Sequence, residues 1–205
     1  MYLELVNILA KQTASRQRIP SAYQEVAYIS SNYDAYIDTG IVFTKDMQME
    51  IMSSIQEYSA WGTGIVGDEL TICSNINGTM YLTMSNSVSI GNVVNNITWS
   101  EYIFNDVNHQ LVNKFGTPLY TFTNAENFNG RETMGLFVTH QNGYLYPAKG
   151  AISYFRIRKH TGELLCDYVP CYRKSDNVAG MYDTVTGQFM PSITNTPFST
   201  GPVVQ

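Results

Sequence analysis

The sequence predicts an all-β fold, an antiparallel sandwich preceded by a short helical arm. Three observations carry this expectation. Hydrophobicity alternates with a period of two from Ser21 onward, polar turn signals punctuate that alternation, and a helical period occurs only in the first ten residues. Composition agrees. Charged residues make up 14% and aromatics 13%, including 15 Tyr, against roughly 25% charged in ordinary soluble domains. A chain rich in Tyr, Thr, Ser and Asn and poor in charge suits half-buried pleated surfaces of an extracellular or particle-exposed kind. The 44% apolar content excludes a disordered chain.

The elements follow in order. In "MYLELVNILAK", Glu4, Asn7 and Lys11 fall on one stripe, and most of the remainder is apolar, including Leu3, Leu5, Val6, Ile8 and Leu9. That pattern is an amphipathic helix too short to stand alone, so its apolar face needs a partner. "KQTASRQRIP" reads as a polar linker closed by Pro20. The chain thus divides into an arm, 1–20, and a domain, 21–205. "YQEVAYI" and "AYIDTGIVF" read as strands, and "MQMEIMSSI" alternates with Met47, Met49, Ile51, Ser53 and Ile55 on one side. "ELTICSN" and "TMYLTMS" flank Asn77-Gly78, a hairpin signal. "SVSIGNVV", "TWSEYIF", "HQLVNKF", "PLYTFTN" and "TMGLFVTH" are further strands. After the "QNGY" turn comes "AISYFRIRKH", with Phe155 and Ile157 on one face and Arg156 and Arg158 on the other. "LLCDYVPCY" is a strand in which Cys166 alternates with Asp167, and "NVAGMYDTVTGQF" places tight turns around a short strand.

Several function classes are excluded or left without support. A net charge of −5 and a pI near 5.1 give no general attraction for nucleic acid or an anionic membrane. No apolar run reaches the length of a membrane span, and the N-terminus lacks the layout of a signal peptide. Cys166 and Cys171, if extended, lie roughly 16 Å apart, beyond disulfide reach. Free, buried thiols are expected. Gly62, Gly64 and Gly67 match a dinucleotide fingerprint, but "DELTICSN" follows as a strand where that motif needs a helix. Close carboxylate pairs at even spacing are Asp34 with Asp38 and Asp46 with Glu50. Four extended residues separate each pair by roughly 13 Å, too far for a retaining glycosidase. Asp38 is read instead as capping the turn into Gly40. His109, His140 and His160 show no metal-ligand spacing, so neither a metal nor a cofactor is expected. The basic run "RIRKH" with Arg173 and Lys174 reads first as a solvated face, and second as a contact for an acidic glycan.

Both ends of the chain resemble a known family. "AYQEVAYISSNYDAYIDTGI" carries Tyr23, Val26, Tyr28 and Ile29, then Tyr36, Ile37, Asp38, Thr39 and Gly40. "GAISYFRIRKHTGELLCDYVPCYRKSDNVAGMYDTVTGQF" carries a Phe-x-Ile strand, an Asp-Tyr-Val-Pro-Cys segment and a Gly-x-Tyr-Asp-x-Val-x-Gly-x-Phe hairpin. These resemble the concanavalin A-like, laminin-G-like domains of phage and prophage structural proteins and of gut bacterial surface proteins. The resemblance covers about 21–45 and 135–201; between them only the strand rhythm agrees. It implies a jelly-roll sandwich whose first and last strands lie close together. It implies no single function, since the fold hosts lectins, glycosidases, adhesins and spacers.

The expected function is a non-catalytic, lectin-like surface module of a virion. The arm residues would hold other virion structural proteins or sister copies in a homo-oligomer, with no nucleic acid bound and no membrane inserted. Sugar recognition calls for aromatic platforms beside planar polar groups. Tyr33, Trp61, His140, Asn142, Tyr144 and Tyr146 are the candidates, with Trp99 read as a strand-packing residue. A bacterial cell-surface adhesin is the alternative, and a degenerate glycoside hydrolase the second; the missing Glu-x-Asp-x-x-Glu pattern weighs against catalysis.

Overall fold

The computed structural model describes residues 18–55, 63–64, 70–74, 80–84, 86–90, 99–122, 128, 130, 132–141 and 144–205; for 55, 63–90 within these ranges and 140–141 it gives the backbone alone. The arm residues Leu3, Leu5, Val6, Ile8 and Leu9 lie outside them. All described regular structure is β, and every strand pairing is antiparallel.

An eleven-stranded sheet dominates. Along its main path run β11 (Pro118–Thr121), β10 (Gln110–Asn113), β9 (Ser100–Phe104), β4 (Met47–Ile55), β15 (Lys149–Lys159), β16 (Leu164–Arg173), β17 (Ala179–Asp183) and β18 (Gln188–Pro191). The long central strands alternate as their sequences demand. Met49 and Ile51, Phe155 and Ile157, and Cys166 and Tyr168 are buried in one core, while Glu50, Arg156 and Asp167 take the opposite face.

The sheet forks at β15 and β16. One edge of β15 is held throughout by β4; its other edge pairs with β2 (Ile29–Asn32) from Lys149 to Ile152, then with β16 from Phe155 to Arg158. Beyond Tyr168, β16 leaves β15, and β1 (Tyr23–Glu25) takes the vacated edge at Cys171–Arg173. Pro170, which has no N–H to give a ladder, sits where β16 changes partner, and its carbonyl accepts the Val26 N–H at 3.0 Å. The first strands therefore wedge into the fork. This breaks "YQEVAYI" into two strands, with Val26 bridging Val203 between them. β2 also pairs with β19 (Ser199–Thr200), drawing in the C-terminus.

The core face is covered by less regular chain. Ile37, Phe43, Phe122, Phe128, Met134, Leu136, Phe137 and Phe198 close over it, anchored by the short pair of β3 (Ile37–Asp38) and β12 (Gly135–Leu136). "AYIDTGIVF" thus pairs over two residues only, because the backbone turns at Gly40 (φ 69°), whose N–H donates to Asp38 Oδ1 at 2.9 Å. The Asp38 turn is as expected. A ribbon of β13 (Val138–Gln141) and β14 (Tyr144–Pro147) stands apart from the large sheet, as does a meander of β5 (Thr63–Gly64), β6 (Leu70–Ser74), β7 (Met80–Met84) and β8 (Asn86–Ile90).

The expected closeness of first strand and closing hairpin holds. Tyr23 packs against Tyr182 and Phe189, ring centroids 5.0 and 5.1 Å apart. They join Ile19, Val169 and Cys171 in a second small cluster on the far face of β16. Ile19, read from sequence as linker, is 4% exposed, and Arg18 pairs with Glu25. The end of the predicted linker is therefore laid down on the sheet.

Candidate functional site

Four of the six candidates read from the sequence, His140, Asn142, Tyr144 and Tyr146, flank or form the "QNGY" turn, and Tyr33 and Trp61 lie elsewhere in the chain. The β13–β14 register runs from Val138↔Pro147 to Gln141↔Tyr144, and the two residues that join the strands, 142 and 143, lie outside the described residues. The base of the ribbon is set by Phe137, a bulky residue at φ 64°. Such a backbone costs about 1–2 kcal/mol. The Phe137 ring is fully buried against Phe198, centroids 5.4 Å apart, and burying it contributes about 1.5–3 kcal/mol. Burial thus offsets the strain, and the Ala148 N–H closes the base on the Phe137 carbonyl at 2.8 Å.

Beyond the kink, Val138 and Thr139 of β13 stay buried. Every residue of β14 is exposed: Tyr144 68%, Leu145 50% and Tyr146 38%. Opposite Tyr146 lies Thr139, buried, its Oγ1 without a hydrogen bond. His140 pairs with Leu145 in the ribbon. Tyr33, at φ 76°, follows Asn32, which pairs with Lys149 just beyond β14, so its turn lies at the same end of β15. The β5 backbone runs beside β13 and β14. Trp61 and Asn142 lie outside the described residues. The structure therefore brings His140, Tyr144 and Tyr146 together in the ribbon, with Tyr33 one residue beyond the Asn32–Lys149 pairing on β15.

A second polar surface, not assembled by sequence reasoning, lies on the outer face of the large sheet. Arg156 Nη1 reaches Glu50 Oε2 at 3.1 Å and Nη2 reaches Asp167 Oδ1 at 3.2 Å; Arg158 Nε donates to Glu50 Oε1 at 2.7 Å. Tyr154 Oη donates to Glu101 Oε1 at 2.6 Å. Burial, this hydrogen bond and the nearby carboxylate charges together push the Tyr154 hydroxyl well above the ordinary tyrosine range. Farther along, Trp99 and Tyr28 meet with centroids 5.3 Å apart. The basic run is therefore largely self-neutralised: Lys159 pairs with Glu163 and Arg173 with Asp176 as well. Among the described residues of that cluster, most of the cations an acidic glycan would need already hold a carboxylate.

His109 and His160, distant in sequence, are neighbours with ring centroids 5.6 Å apart. Both are organised by fully buried Asn105. His109 Nδ1 donates to Asn105 Oδ1 at 2.7 Å, and His160 Nε2 donates to the Asn105 carbonyl at 2.8 Å. These donor assignments follow from Asn105 Nδ2 serving the Lys45 and Met47 carbonyls, at 2.8 and 2.7 Å. The cluster staples three loops together. Among the described residues no group of three potential ligands could hold a metal. Of the glycine motif, Gly64 lies in β5 opposite Cys73 of β6, and Gly62 and Gly67 lie outside the described residues. Cys166 and Cys171 are free and buried, as expected, their thiols pushed up to about 12 by burial. No protein-family model, curated protein or solved structure matches the chain.

Proposed function

We propose that the protein is a non-catalytic, lectin-like β-sandwich of the jelly-roll type, displayed on a virion and contacting a cell-surface glycan through the β13–β14 ribbon. The observation that carries this reading is the ribbon itself. It is a firmly rooted hairpin that holds Tyr144, Leu145 and Tyr146 in solvent, where a packed domain would ordinarily cover them. Exposed tyrosines give broad stacking surfaces with a polar tip at low ordering cost. The resemblance of both chain ends to phage structural domains supports the virion setting. The apolar sequence of residues 1–10 supports attachment to other structural proteins or sister copies through the arm. The ion pairs that occupy Glu50 and Asp167 support a binding role over hydrolysis.

The test is retention on a printed panel of bacterial surface polysaccharides and neutral oligosaccharides, comparing wild type with Tyr144→Ala and Tyr146→Ala. Both side chains are exposed, so each variant should melt within about 2 °C of wild type. Each should lose at least about tenfold in affinity for the glycan retained by wild type, about 1.4 kcal/mol. Unchanged retention in both variants overturns the ribbon as the contact.

A further inference from the structure

We propose a second binding site on the outer face of the large sheet, centred on Trp99 and Tyr154, that takes a neutral oligosaccharide. It is argued from different residues than the ribbon and stands independently of it.

The register assembles the site. Trp99 and Glu101 share one face of the β9 segment, since Tyr102 and Phe104 point into the core. Met52 pairs with both Glu101 and Tyr154, so Glu101 and Tyr154 flank it on this same face. One step along, Ser54 pairs with Ala151, and Ala151 with Ser30. Their outer-face positions are small residues, and Ser54 and Ala151 are buried. The cover is supplied from either side by Trp99 and Tyr28, whose rings meet above them. Gly201 makes this possible: a Cβ there would come within 2.6 Å of the Tyr28 ring. Small residues thus form a floor and two half-exposed aromatic rings a platform over it.

From this platform a polar stripe continues past Tyr154 and Glu101 to Glu50, Arg156 and Arg158. At the rise of an antiparallel strand it runs about 20 Å, the scale of an extended oligosaccharide chain. Its charges are mostly spent on each other, Glu50 against both arginines and Asp167 against Arg156. A strongly charged partner would have to break those pairs. A neutral polyol would not. It needs aromatic faces for its C–H surfaces, and fixed acceptors and donors for its hydroxyls. The platform supplies the first; Tyr154, Glu101 and Arg158 supply the second.

The experiment titrates full-length protein with cellohexaose, maltohexaose and chitohexaose, following the indole N–H resonances by NMR, with Trp99→Phe to assign the Trp99 signal. At least one hexasaccharide should shift the Trp99 signal. Trp99→Ala should weaken that binding at least about tenfold. Trp99 also covers buried residues, so Tyr154→Phe, which removes one hydroxyl and its hydrogen bond to Glu101, is the companion variant; it should stay folded, melting no more than about 12 °C below wild type, and weaken binding about threefold or more. A Tyr144→Ala/Tyr146→Ala double variant should bind within about twofold of wild type. The proposal is overturned if none of the three sugars moves the Trp99 signal at about 5 mM, an affinity near the weakest useful limit. It is also overturned if Tyr154→Phe binds as wild type does. Loss only in the Tyr144/Tyr146 variant would refute this site and leave the ribbon reading standing.

Discussion

Asp183 offers the sharpest test of how the closing hairpin is held. Its carboxylate is 3% exposed. Oδ1 accepts the Asp167 and Val185 N–H groups, both at 3.0 Å, and Oδ2 accepts the Thr186 hydroxyl at 2.7 Å. One side chain therefore ties the β17–β18 turn to the neighbouring β16. Hydrogen bonds to a charged acceptor contribute about 1.5–3 kcal/mol each. In Asp183→Ala, water can replace the carboxylate at the exposed turn, at Val185 and Thr186, but poorly at Asp167. Counting one bond in full and the others in part gives a loss of about 3–4 kcal/mol. For a domain of this size that lowers the melting temperature by about 6–16 °C. Asp183→Asn keeps an oxygen for the two N–H groups, and the Thr186 hydroxyl can turn to accept from the new amide. Its cost should be about 1 kcal/mol, or about 2–4 °C. Calorimetric melts of the three proteins at pH 7 decide the matter. A drop under about 3 °C for the alanine variant, or an asparagine variant worse than alanine, would refute the reasoning.

Gly180→Ala should cost about 2–3 kcal/mol, because the new Cβ would strike the Met190 carbonyl oxygen across the hairpin; the measurement is amide exchange at Met181 and Met190, and unchanged protection contradicts it. Cys166 and Cys171 should stay unreactive toward a disulfide reagent at pH 8 until the protein unfolds. Their folded thiols titrate near 12, well above unfolded ones near 8.5. Stability should accordingly be level below about pH 8.5 and fall as pH rises from there toward 12; denaturant midpoints that stay constant from pH 8 to 11 would count against this. Deleting residues 1–17 should leave the melting temperature within about 2 °C and, on the attachment role proposed above for the arm, abolish assembly with its partner. Deleting 1–19 also removes buried Ile19, costing about 1.5–3 kcal/mol, so identical melting of the two truncations would show that the Ile19 contact contributes nothing.

What could be read in the sequence was local. "MQMEIMSSI" forms β4 across all nine residues, because a strand buried on one face fixes its own alternation. The Asp38–Gly40 turn was legible for a similar reason: a carboxylate bonding to backbone two residues on is chemistry within one short segment. The fork was not legible, since nothing within "LLCDYVPCY" says that its edge changes partner from β15 to β1 at Pro170. The Phe137 kink was hidden too. No local rule places a phenylalanine at positive φ; only tertiary burial compensates for it. Trp99 was read as a packing residue, and the structure places it against Tyr28 in a half-exposed pair. His109 and His160 looked unrelated until Asn105 joined them.

The surfaces able to do chemistry in this chain are built from the non-local links. Tyr154 and Glu101 are 53 residues apart and become partners only because each pairs across its own ladder with Met52. Arg156 meets Glu50 and Asp167 through the two strands on either side of it. A one-residue slip of β4 would send Glu50 into the core and Met49 to the surface, so burial of Met49 and Ile51 holds the polar stripe in register. The apolar face thereby specifies the polar one: the same period of two that seals the core decides which carboxylate meets which guanidinium on the other side.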